Sequence, residues 1–155
     1  MKQFKTLAIL IALLLISNAE AACRLGFTQL QFGNYNPQIS TATMGFGTVS
    51  ATCDFRGPNN NFTTGQVRIN LGVSNTTNNF NRSMRTVRNE RLNYNAYTDQ
   101  TLSRVWGDGT FNTSPLTATL GRNQSRTWTY YGSIPQLQNI PAGTYSDSMV
   151  ITLLP

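Results

Sequence analysis

The sequence predicts an all-β sandwich, and three observations carry that prediction. Beyond residue 22 no apolar pattern with a 3.6-residue period is sustained, short stretches alternate apolar with polar residues, and clusters of Asn, Gly and Pro separate them. Helix is expected to be scarce.

The first 21 residues are set apart from the fold. Lys2 and Lys5 precede an unbroken apolar run, Leu7 to Ile16, and Ala19-Glu20-Ala21 offers a small-x-small cleavage pattern, which is the layout of a secretory leader. The run is well short of the roughly 20 apolar residues that a bilayer span needs. Cleavage after Ala21 leaves 22–155, which is 155 less 21, or 134 residues, the size of one exported domain. Its two cysteines, Cys23 and Cys53, are bound for an oxidising compartment, so a Cys23–Cys53 disulfide is expected. Closing that loop should stabilise the fold by roughly 3 kcal/mol.

The strands follow in order. Leu25 to Phe32 is the first, with Leu30 and Phe32 on one face. Thr48 to Cys53 is the second, with Val49, Ala51 and Cys53 inward. Val67 to Val73 alternates without a fault, the pattern of a strand with one face buried and one wet. Leu92 to Tyr97, Ser103 to Trp106, Leu116 to Leu120 and Thr127 to Tyr131 complete the middle of the chain. Turn signals lie between them at Asn34 to Pro37, Arg56 to Asn61, Gly107 to Gly109 and Pro141 to Gly143. About seven short strands at this length suit an immunoglobulin-like sandwich. The last strand, Tyr145 to Pro155, puts Tyr145, Met149, Ile151 and Leu153 on one face. So apolar a terminal strand needs a neighbour, because an exposed apolar edge recruits other chains.

Charge and chemistry narrow the function. Removal of Lys2, Lys5 and Glu20 takes the formal charge from +6 to +5, and every remaining basic residue is an arginine. They are scattered, and the one cluster, Arg82 to Arg91, reads as a solvated loop and strand edge. With no histidine, the acids Asp54, Glu90, Asp99, Asp108 and Asp147 form no evident catalytic pair or metal set. Asp108 and Asp147 read as turn residues bonding nearby backbone N–H groups. No enzyme activity, cofactor or nucleic-acid site is expected. Trp106 and Trp128 are expected in the core, whereas Met44, Phe46, Phe62 and Phe111 stand beside turn residues and are candidate adhesive loops.

Several segments, in order, resemble the spore coat protein U family, which includes subunits of archaic chaperone–usher pili (Csu-type fimbriae). They are Cys23 with Leu30 to Tyr35; Gly47 to Cys53; Asn81 to Met84; Leu92 to Tyr97; Val105 to Gly109; and Gly143 to Asp147 leading into the terminal strand. The resemblance implies an incomplete immunoglobulin-like sandwich lacking its last strand. It implies a donor-strand groove, for which Tyr145, Met149, Ile151, Leu153, Leu30 and Phe32 are the candidate residues. A periplasmic chaperone would fill that groove first, an outer-membrane usher would handle assembly, and a neighbouring subunit's N-terminal segment would fill it later by strand addition. It further implies export through the periplasm to a cell-surface fimbria serving attachment and biofilm formation. Family pilins carry a donor segment before the first cysteine, whereas here Ala22 alone would follow the cleavage point, which favours a tip or minor position. The alternatives are a stand-alone carbohydrate-binding sandwich or a coat protein.

Overall fold

A computed structural model describes residues 20–57, 61–74, 77 and 79–155, and among these there is no helix. Of the expected leader only Glu20 and Ala21 fall within the described residues.

Eight strands run in chain order: β1 Glu20–Phe27, β2 Thr43–Arg56, β3 Gly65–Leu71, β4 Arg82–Arg85, β5 Arg91–Tyr97, β6 Leu116–Leu120, β7 Gln124–Ile134 and β8 Ile151–Leu154. They form a five-stranded sheet in the order β1-β2-β7-β5-β4 and a three-stranded sheet in the order β6-β3-β8, with every named pair antiparallel. The alternation seen in the sequence becomes the core between the sheets. Val49, Ala51 and Cys53 of β2 meet Val67, Ile69 and Leu71 of β3, all of them buried. Trp106 is fully buried, donates its indole N–H to the Ile69 carbonyl at 3.2 Å and lies 4.9 Å from the Tyr130 ring. Trp128 packs half-buried against the same cluster. Cys23 and Cys53 face each other across β1 and β2 and are disulfide-bonded, S–S 2.11 Å.

The structure differs from the sequence expectation at several points, some for local reasons and some for distant ones. β1 begins at Glu20, so a cut after Ala21 would fall inside it and leave Ala22–Phe27. It also ends at Phe27, ahead of the expected Phe32, because side chains take over the ladder at Thr28. The Thr28 hydroxyl accepts from the Thr48 N–H at 2.7 Å, and the Thr28 carbonyl accepts from the Tyr130 phenol at 2.7 Å. The chain then rises over the sheet, where Leu30 and Phe32 pack on Gly132; a Cβ there would come within 2.5 Å of the Phe32 ring. Ser103 to Trp106 is a loop with isolated bridges, since the Asp99 carboxylate gathers the Ser103 and Arg104 N–H groups at 3.0 and 2.7 Å and curls the segment.

The cluster Arg82 to Arg91 is not uniformly solvated. Its first part is strand β4, and Arg82 is 1% exposed. The terminal segment, finally, is not one strand in one sheet. Ser146 exchanges two backbone hydrogen bonds with Arg85, beside β4, and the chain then crosses to pair Ile151–Leu154 with β3.

Candidate functional site

The site is built from what the two sheets leave uncovered. β8 pairs with β3 along one edge, Ile69 opposite Leu153 and Leu71 opposite Ile151, and among the described residues no strand pairs with its other edge. Across the gap stands β1, the free edge of the five-stranded sheet. Unpaired backbone groups thus border the opening on β8, and the side chains below are apolar.

Phe27 reveals the gap most directly. It is directly opposite Val49 and shares its inward face, yet Val49 is 0% exposed and Phe27 is 63% exposed. Opposed residues on one sheet face normally share a cover; here the cover stops short of β1. The resulting cleft has a volume of about 590 Å³ and is walled by Leu25, Phe27 and Leu30 on one side and by Met149 and Ile151 on the other. A second cavity of about 980 Å³ continues it, sharing Leu30, Phe32, Met84 and Tyr145 and reaching Tyr35, Ile134 and Ile140. The sandwich is therefore open lengthwise rather than at one point.

The terminal segment supplies one wall in strict alternation. Tyr145, Asp147, Met149, Ile151 and Leu153 are half-buried, and Ser146, Ser148, Val150, Thr152 and Leu154 are exposed. Of the six residues expected at a groove, Tyr145, Met149, Ile151, Leu30 and Phe32 line this cleft, whereas Leu153 lies further along β8, opposite Ile69 in the core. Sequence reasoning missed Leu25, Phe27 and Asp147. The first two alternate with Cys23, which was the available signal. Asp147 gave none beyond standing on the inward face.

Asp147 does more than cap a turn. One carboxylate oxygen accepts from the Ser148 N–H at 2.9 Å, and the other accepts from the Tyr94 phenol at 2.8 Å and lies 3.7 Å from an Arg82 guanidinium nitrogen. Arg82 also donates to the Gly72 carbonyl. Burial, reinforced by the hydrogen bond and charge of Asp147, pushes the Tyr94 phenol well above its ordinary value. The triad ties the terminal segment to β4 and β5 at the middle of the cleft. Buried pairs of this kind contribute little net stability but specify geometry, since leaving either charge alone is costly.

The remaining acids are committed locally. Asp54 pairs with Arg56 at 2.9 Å and Glu90 accepts from the Thr86 hydroxyl at 2.9 Å. Asp108 accepts from the Thr110 N–H at 2.9 Å, the turn chemistry expected of it. The Thr101 hydroxyl, followed by loop N–H groups, holds the Asp99 carboxyl well below the usual range. Among the described residues no group of His, Cys, Asp and Glu could hold a metal ion.

The four candidate adhesive residues are exposed, but the structure does not bring them together. Met44 and Phe46 lie within β2 rather than in a loop. Phe62 bridges to Arg56 at the opposite end of that strand, about 33 Å away at 3.3 Å per residue, and its ring lies under the Arg122 guanidinium. Phe111 sits in the loop between β5 and β6 at φ 49°.

The chain is 29% identical over 151 residues to Protein U of Myxococcus xanthus, an alignment covering 88% of this chain and 79% of that protein. Its fold is similar to one chain of the chaperone–tip adhesion subunit pre-assembly complex CsuC–CsuE, from archaic chaperone-usher Csu pili of Acinetobacter baumannii. That match has a TM-score of 0.56 and 18% identity and covers 86% of this chain. It spans 39% of the matched chain, so this protein corresponds to about two fifths of that molecule. The profile of the Spore Coat Protein U domain matches residues 9–152. With nearly its whole length matched, this chain belongs to the Spore Coat Protein U domain family.

Proposed function

We propose that the protein is an exported structural subunit of a chaperone–usher pilus, completed by a β-strand from another chain. The observation that carries this reading is the lengthwise cleft between β1 and β8, with Phe27 and Met149 facing across it. A strand entering beside β8 would find backbone partners along its free edge and apolar sites for alternate side chains, which is strand addition to an open sheet. A periplasmic chaperone occupies the cleft first and a neighbouring subunit replaces it, with an outer-membrane usher as the site of exchange. The similarity of fold to a subunit crystallised with its chaperone supports the same reading.

Surface attachment and biofilm formation follow from that placement, and a tip position is favoured because the similar fold comes from a tip adhesion subunit. Labelling intact fibres with an antibody to this chain tests the position, and label along the shaft rejects the tip. The groove itself is tested with a synthetic peptide of about ten residues alternating apolar and polar. Added in excess, it raises the melting temperature by mass action if it binds only the folded state. A saturating peptide that leaves the melting temperature unchanged, together with a stable monomeric free chain, rejects the proposal.

A further inference from the structure

The outer face of the five-stranded sheet, on the side away from the cleft, carries an aromatic row. Phe46 of β2 is directly opposite Tyr131 of β7, and Tyr131 is directly opposite Tyr97 of β5. Isolated bridges extend the line to Gln31 beyond Phe46 and to Val105 beyond Tyr97. Opposed residues share a sheet face, so three rings from three separate strands stand side by side, and Phe46 is 69% exposed.

Two further observations point to a ligand. Four of the tyrosines spend their phenol groups inside the protein: Tyr35 on the Pro135 carbonyl, Tyr94 on Asp147, Tyr130 on the Thr28 carbonyl and Tyr145 on the Pro141 carbonyl. Tyr97 and Tyr131, both half-buried, have no such partner among the described residues and occupy neighbouring positions of this row. The strand positions flanking the row, moreover, are uncharged, while the exposed Arg104 adjoins Val105 at its end. Thr48 and Thr129 form the next row on one side, and Met44 and Asn95 belong to the row on the other. Partial burial first, and then the negative charge of Asp99, raise the Tyr97 phenol.

From these features we propose that the Phe46–Tyr131–Tyr97 row binds a neutral polysaccharide. Aromatic faces suit the apolar C–H faces of pyranose rings, and the two phenols with the threonine row suit the hydroxyl rim. A nucleic acid needs several arginines or lysines beside the stacking rings to meet phosphates, and the strand positions flanking these rings supply none. A protein partner needs more surface: the row and Met44 expose on the order of 300 Å² of apolar area, against the roughly 800 Å² per partner of a stable interface. The face is independent of the cleft, which opens on the other side of β2.

The test is native affinity electrophoresis of the exported chain in gels containing hydroxyethylcellulose or galactomannan, with heparin and single-stranded DNA as charged counter-probes. At least one neutral polysaccharide should retard the protein. The double variant Phe46→Ala/Tyr131→Ala should weaken that retardation about tenfold or more, as loss of aromatic contacts predicts. It should unfold cooperatively at a melting temperature only a few degrees below the parent's and keep its response to the groove peptide, and Val87→Ala, at an exposed turn, should bind like the parent. Tyr97→Phe/Tyr131→Phe, which keeps the rings, should weaken binding several-fold through the lost hydroxyls. Retardation by the charged probes alone, by none of the probes, or equally in parent and double variant overturns the proposal.

Discussion

Phe27 offers the sharpest test of the open sandwich, because its energetic role should change when a strand is added. A phenylalanine side chain presents about 200 Å², and Phe27 is 63% exposed, so about 125 Å² awaits cover. At about 25 cal/mol per Å², burying that area contributes roughly 3 kcal/mol. The perturbation is Phe27→Ala in two backgrounds, the chain alone and the chain with a donor strand fused after Pro155 through a flexible linker. In the chain alone only the buried third of the ring is lost, a cost of about 2 kcal/mol at most. In the fused chain the whole ring is lost, a cost of about 5 kcal/mol, at the upper end of Phe→Ala substitutions in cores. The ordering entropy of the donor strand is common to parent and variant and cancels. The difference of about 3 kcal/mol corresponds to roughly 10 °C in melting temperature for a domain of this size. Thermal denaturation followed by circular dichroism reads it, and equal losses in the two backgrounds would falsify the placement of the added strand beside Phe27.

Other substitutions probe what holds the cleft. Asp147→Ala strands the buried Arg82 charge and should cost about 3–5 kcal/mol, whereas Arg82→Met/Asp147→Leu should cost less than Asp147→Ala alone; urea unfolding distinguishes them. Replacing both Cys23 and Cys53 by Ala should lower stability by roughly 3 kcal/mol, and reductant should produce a similar loss in the parent and none in the variant. The Tyr94 phenol is raised from its ordinary value of 10.0, so the folded state holds its proton more tightly than the unfolded one. Its contribution is complete below pH 10 and is lost as pH rises beyond that. Stability measured against pH should therefore fall on the alkaline side, and Tyr94→Phe should flatten that fall; an unchanged slope refutes the assignment.

The parts of this protein legible in the sequence are those with local causes. A period of two places Val67, Ile69 and Leu71 on one face whatever surrounds them, and it does the same for Val49, Ala51 and Cys53. Alternation likewise put Tyr145, Met149 and Ile151 on one wall, and the structure brings Leu30 and Phe32 against that same cleft. Arg82 was misread because a charge can be buried only beside its partner, and that partner, Asp147, is supplied by a segment far along the chain. Phe27 was overlooked for a related reason: its exposure is a property of the missing cover, not of its neighbours in sequence.

Strand periodicity, the apolar face of the terminal segment, the cysteine pair and the family are legible along the chain, because adjacent residues or ordered motifs carry them. That β1 stops at Phe27, that the terminal segment crosses from one sheet to the other, and that Phe46, Tyr131 and Tyr97 share one row emerge only when distant strands assemble. Register between distant strands is set by the competition of all side chains for one core, and no short stretch of sequence records its outcome.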